Sequence, residues 1–109
     1  MNQSASIGTN LTVGGTVHLL NGGSMSETSG NEQIKFVQND IYPHYIKTRH
    51  SGVDDNAIDF YLNQSGSDSF IATISRTGVG IGVLTPTFDL DVSGDANISS
   101  DLTVGRIFL

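Results

Sequence analysis

Ala5-Ser-Ile-Gly-Thr-Asn-Leu-Thr-Val-Gly14 and Ala96-Asn-Ile-Ser-Ser-Asp-Leu-Thr-Val-Gly105 are two copies of one pattern at opposite ends of a 109-residue chain, identical at six of ten positions. Each copy runs on into a short β-like stretch, Thr16-Val17-His18-Leu19 and Arg106-Ile107-Phe108-Leu109. Around the first, Ile7, Leu11, Val13, Val17 and Leu19 all fall on odd positions. Around the second, Leu90, Val92, Ile98, Leu102 and Val104 all fall on even ones. A period of two gives one apolar and one polar face, the signature of a half-covered strand. Five aliphatic side chains, each worth about 1.5–3 kcal/mol when fully buried, cannot be covered by an isolated hairpin. Something must lie on the stripe. Three copies around an axis would do so; pairing of the two ends in a monomeric sandwich is the other solution.

Length sharpens that demand. A domain of this size buries only about two-thirds of its unfolded surface and is marginal without disulfides, metal or oligomerisation. There is no cysteine, so disulfides and Cys-based zinc sites are excluded. Thirteen glycines and a charged fraction of 15% leave few good helix formers, whereas Val, Ile, Leu, Phe and Tyr suit strands. A net charge of −6 with only five Lys and Arg argues against a nucleic-acid partner and against an anionic membrane surface. No apolar run approaches the roughly 20 residues of a membrane span. Residues 1–15 lack the basic start and apolar centre of a signal peptide. The Asn-x-Ser/Thr triplets at Asn2, Asn10, Asn63 and Asn97 are what a chain so rich in these residues carries by chance.

Between the repeats, Asn21-Gly-Gly-Ser-Met-Ser-Glu-Thr-Ser-Gly30 has almost nothing to bury and reads as a linker or exposed loop. Five strand candidates follow, over 33–38, 41–50, 57–63, 70–75 and 78–82, separated by turn residues. Pro43 suits an edge or a strand start. With no credible helix, the middle reads as a small antiparallel β-domain.

Candidate chemistry is thin. Gly78-x-Gly80-x-Gly82 has the look of a phosphate loop, but that role needs a helix N-terminus. Here glycine alternates with β-branched residues and Pro86 follows, so a closely packed strand is expected. His44 and His50 would stand about 20 Å apart on an extended strand and without a turn cannot share one ion; these two are read as structural, and the sequence assigns His18 no role. Asp54, Asp55 and Asp59 are read as ordinary carboxylates rather than a calcium or acid–base site, since no mutual geometry is visible. Tyr45, Lys47 and Arg49 share one face of the most charged strand. They are the candidate ligand-binding residues, because rings stack on sugars and guanidinium forks grip carboxylates. The competing role is contact between chains.

Residues 78–105, Gly-Val-Gly-Ile-Gly-Val-Leu-Thr-Pro-Thr-Phe-Asp-Leu-Asp-Val-Ser-Gly-Asp-Ala-Asn-Ile-Ser-Ser-Asp-Leu-Thr-Val-Gly, resemble a segment of tail-fibre and tail-spike-like proteins of phages. Related segments occur in fibres of large DNA viruses and in some bacterial surface fibres. His44-Tyr-Ile-Lys-Thr-Arg-His50 with Asn56-Ala-Ile-Asp-Phe-Tyr-Leu62 resembles the small domain often found just upstream. The resemblance implies a trimer, and a segment that commonly precedes an endosialidase-type intramolecular chaperone. No chaperone and no Ser/Lys cleavage site can be matched here, so a mature or excised fragment is expected.

The resulting expectation is an all-β, intertwined homotrimeric fibre. A small antiparallel β-domain (24–84) lies between an N-terminal β-stem repeat (1–23) and a C-terminal one (85–109). The ten alternating aliphatics form the trimer core. The function expected is structural and adhesive: a non-enzymatic segment of a virion surface fibre or tail, or of a bacterial cell-surface fibre. Its partners would be its own copies and a host-surface glycan or protein, with no cofactor, no metal and no membrane insertion. The alternative is a monomeric carbohydrate-binding module of a secreted protein.

Overall fold

The computed structural model describes residues 6–19, 31–37, 42–51 and 55–108. The Gly/Ser stretch at 21–30, Asn39, Asp40, Ile41 and Asp54 lie outside them. Six strands follow one another in a single sheet in chain order: β1 (Asn31–Phe36), β2 (His44–Ser51), β3 (Asp55–Gln64), β4 (Ser67–Ser75), β5 (Val79–Ile81) and β6 (Leu90–Val92). The first four pairings are antiparallel and β5–β6 is parallel. The all-β expectation holds: there is no helix among the described residues, hence none long and apolar enough to cross a membrane.

Local chemistry explains the meander. The β3–β4 hairpin closes through Ser65 and Gly66, both with positive φ (56° and 87°), the pair of conformations a two-residue turn needs to match strand twist. Asn63 Oδ1 accepts the Gly66 N–H (3.2 Å), and its Nδ2 donates to Asp68 Oδ1 (3.1 Å). The carboxamide of that Asn-x-Ser triplet is therefore a turn-former. Between β4 and β5, Ser75 Oγ accepts the N–H groups of Thr77 (3.2 Å) and Gly78 (3.3 Å). β4 carries a bulge at Ile71, where register slips between Phe60 and Tyr61 of β3; the Ile71 carbonyl accepts Gly82 N–H instead (2.9 Å).

The parallel β5–β6 pair is joined by residues 82–89 alone, shorter than the dozen or more residues parallel connections usually take. So short a crossover must lie directly on the strand it leaves. Glycine makes that possible: a Cβ on Gly78 would meet the Asp89 carbonyl oxygen at 2.6 Å, and one on Gly80 would collide with the Val83 carbonyl oxygen. Gly82 turns the chain away with φ +70°. Thr87 is then held by Asp91 Oδ2 (3.1 Å from its N–H).

The two faces of the sheet differ sharply. One carries Tyr45, Lys47, Arg49, Ala57, Asp59, Tyr61 and Thr73 by register. All the fully buried large side chains lie on it: Arg49, Asp59 and Thr73. The crossover covers this face, with Pro86 buried against it. The opposite face is open and mixes exposed apolar side chains, Phe36, Ile58, Leu62, Ile74, Ile81 and Leu90, with polar ones such as Thr48, His50 and Ser69. This arrangement inverts the usual interior.

The terminal repeats behave differently from the centre. Residues 6–18 and 94–108 belong to no strand and make no backbone–backbone hydrogen bond among the described residues. Ile7, Leu11, Val13, Val17, Leu19, Ile98, Leu102 and Val104 are exposed. Leu90 and Val92, read in the sequence as part of the C-terminal stem, form β6 of the sheet; their stripe continues the open apolar face.

Candidate functional site

Tyr45, Lys47 and Arg49 do share a face of β2, but they have different surroundings. Arg49 sits opposite Ala57 in the β2–β3 register, and that small partner lets the guanidinium reach diagonally to Asp59, within the span cross-strand neighbours allow. Arg49 Nε donates to Asp59 Oδ2 (3.0 Å), and Arg49 Nη2 to Asp59 Oδ1 (3.2 Å). Arg49 Nη2 also donates to the Leu84 carbonyl at 2.8 Å. Thr73 Oγ1 donates to Asp59 Oδ1 at 2.5 Å. Exposure is 2% for Arg49 and 0% for Asp59 and Thr73. A bidentate guanidinium–carboxylate pair can be buried when its remaining donors and acceptors are met, and no buried side-chain nitrogen or oxygen among the described residues lacks a partner. The group joins β2, β3, β4 and the crossover. Arg49 is committed inward and cannot meet a ligand from solvent.

The outer part of this face is a ladder of rings and amines. Lys47 Nζ lies 4.3 Å from the Tyr61 ring centre and 5.0 Å from that of Tyr45, and Lys35 Nζ lies 5.9 Å from Tyr45. These are cation–π distances. Phe70 packs edge-on to Tyr61, with centroids 5.6 Å apart and planes at 65°. Desolvation raises the Tyr61 hydroxyl above its ordinary pKa; Asp59 and Asp68 add to this and Arg49 opposes it. Tyr45 is buried beneath the lysines, so its ring is not free to stack on a sugar. The accessible chemistry is a Lys47–Tyr61 edge with modest attraction for anions.

His44 and His50 are engaged in contacts within the sheet. His44 Nδ1 accepts the Asn63 backbone N–H (3.0 Å). His50 Nδ1 lies 3.1 Å from Asn56 Oδ1. No cluster of three or more His, Cys, Asp or Glu side chains suited to a metal occurs among the described residues. Asp59 is an ion-pair partner, and Asp55 begins β3. After Gly82 no helix begins, and the glycines serve the crossover.

One concavity was not anticipated. Phe36, Val37, Tyr42 and His44 line a recess of about 250 Å³ at the β1–β2 end. Phe36 and His44 are register partners, which strand alternation could have paired; Tyr42 was hidden by its place before Pro43. The Arg49–Asp59–Thr73 group was likewise missed as a unit, although all three residues have the right parity for one face.

No family model matches the chain, and neither a curated protein nor a solved structure matches it.

Proposed function

We propose that this chain is a structural segment of a homotrimeric fibre of the phage tail-fibre type, non-enzymatic, whose terminal repeats are completed by sister chains. One observation carries the reading. Residues 6–18 and 94–108 alternate apolar and polar, expose their aliphatic side chains, and make no backbone–backbone hydrogen bond among the described residues. Unpaired alternating segments of this kind cover their aliphatic side chains, and exchange backbone bonds to water for bonds to protein, by pairing with other polypeptide. Among the described residues the two ends do not pair with each other as strands.

The central sheet is then a rigid unit held between stems. A host-surface glycan or protein would be met by its outer edges, weakly at each site and strongly through repetition. With Arg49 turned inward, the Tyr45–Lys47–Arg49 patch reduces to Lys47 with Tyr61.

Light scattering on the intact chain tests the proposal. The expected mass is three times 11.6 kDa, reduced by Leu11→Asp with Leu102→Asp, which places charge in both stripes. A single mass of 11.6 kDa would refute it and favour a monomeric carbohydrate-binding module.

A further inference from the structure

We infer that the charge-free face of the central sheet is a surface on which copies of this chain meet one another. The inference rests on the self-associating reading above, but it places a contact on the sheet rather than only on the terminal stripes.

Every charged residue with a described side chain in a strand lies on the opposite face: Lys35, Lys47, Arg49, Asp59, Asp68 and Asp91. Among the described residues the open face carries no Asp, Glu, Lys or Arg; toward its β1–β2 side it bears His44, Thr48, His50 and Asn56 by register. Its exposed large apolar positions are Phe36, Ile58, Leu62, Ile74, Ile81 and Leu90, each between 43% and 65% accessible. At about half exposure, six such side chains present on the order of 500–600 Å² of apolar surface, at the upper limit for a patch on a self-contained monomer. A standard interface needs about 800 Å² from each partner, which the half-buried apolar residues between these six can complete.

Charge selects the occupant. Each copy carries −6, so copies repel through most of their surface and approach at least cost where no carboxylate stands. A strongly basic or acidic partner would meet only the imidazoles of His44 and His50 there. The chain's own described terminal segments do not cover it either, since the residues of both the face and the stripes are exposed.

The absence of cysteine gives a clean test on the intact chain. Ile74→Cys places one thiol in the face, and Thr77→Cys places one in the adjoining exposed turn. In the native assembly Cys at 74 is expected to react with a thiol reagent at least about tenfold more slowly than Cys at 77, the two becoming equal on unfolding. Ile74→Asp is expected to lower the mass measured by light scattering. If wild type is an oligomer yet the two thiols react alike, this inference fails while the fibre reading stands. If wild type has a single mass, both fail.

Discussion

Arg49 shows what a single side chain does for this sheet. It ties three strands and the crossover through one guanidinium, in a place where an unpaired charge would be intolerable. Removing one member of a buried pair leaves the other uncompensated, at a cost of about 3–5 kcal/mol, whereas replacing both with apolar groups of similar volume is often neutral. Arg49→Met is therefore expected to lower unfolding stability by about 3–5 kcal/mol. Arg49→Met with Asp59→Leu is expected to lower it by less than either single change, read by urea denaturation in a double-mutant cycle. A double variant no better than Arg49→Met would show that the packing around Thr73, not the orphaned charge, sets the cost. The parity of Arg49 and Asp59 was readable in the sequence. Their pairing was not, because it depends on Ala57 being the direct partner of Arg49, and register is a tertiary fact.

At the scale of elements, the antiparallel meander was legible because its signals are local. Ile58, Phe60 and Leu62 alternate with Ala57, Asp59 and Tyr61 in β3, and Ser65-Gly66 supplies the turn. What was not legible is β6. Leu90-Asp-Val92 has the same alternation as the terminal repeats, and nothing local says that it pairs in parallel with β5 rather than continuing a stem. The deciding device is the spacing of Gly78, Gly80 and Gly82, read as a closely packed strand without the identity of what packs on it. Gly80→Ala tests that device. The new methyl group would collide with the Val83 carbonyl oxygen, and backbone does not yield as a flexible side chain does. Overpacking of this kind typically costs about 1–3 kcal/mol. The expected result is a loss of that size in urea, with faster amide exchange at Ser93, whose N–H donates to the Ile81 carbonyl, and at Val79, whose N–H donates to the Asp89 carbonyl. Gly14→Ala, with no atom within 4 Å of the added carbon, is the matched control within one chain. Unchanged exchange in Gly80→Ala would mean that the crossover does not rest on β5.

For the whole molecule, the sequence carried the class of the solution better than its location. Alternating aliphatic stripes at both ends announced that apolar surface is left over after the chain has folded. A second remainder is on the sheet, because one face is closed by the crossover and by the Arg49 group, leaving Phe36, Ile58, Leu62, Ile74, Ile81 and Leu90 of the other open. A fold that encloses an ion pair and exposes its aliphatics gains little from its own packing, since each half-exposed Ile or Leu withholds much of the 1.5–3 kcal/mol that full burial supplies. On the proposed association, stability depends on chain concentration. For a trimer that dissociates as it unfolds, hundredfold dilution removes roughly 2 kcal/mol per chain by mass action. With a shift of about 4–8 °C for each kcal/mol in domains of this size, the melting midpoint is expected to fall by roughly 8–16 °C over that dilution, measured by circular dichroism at slow scan rates. Ile74→Asp should flatten this dependence along with lowering the midpoint, because it removes association rather than the sheet itself. A midpoint that stays fixed across the dilution would mean that a single chain holds its sheet without help. The open apolar face would then need a cover other than its own kind.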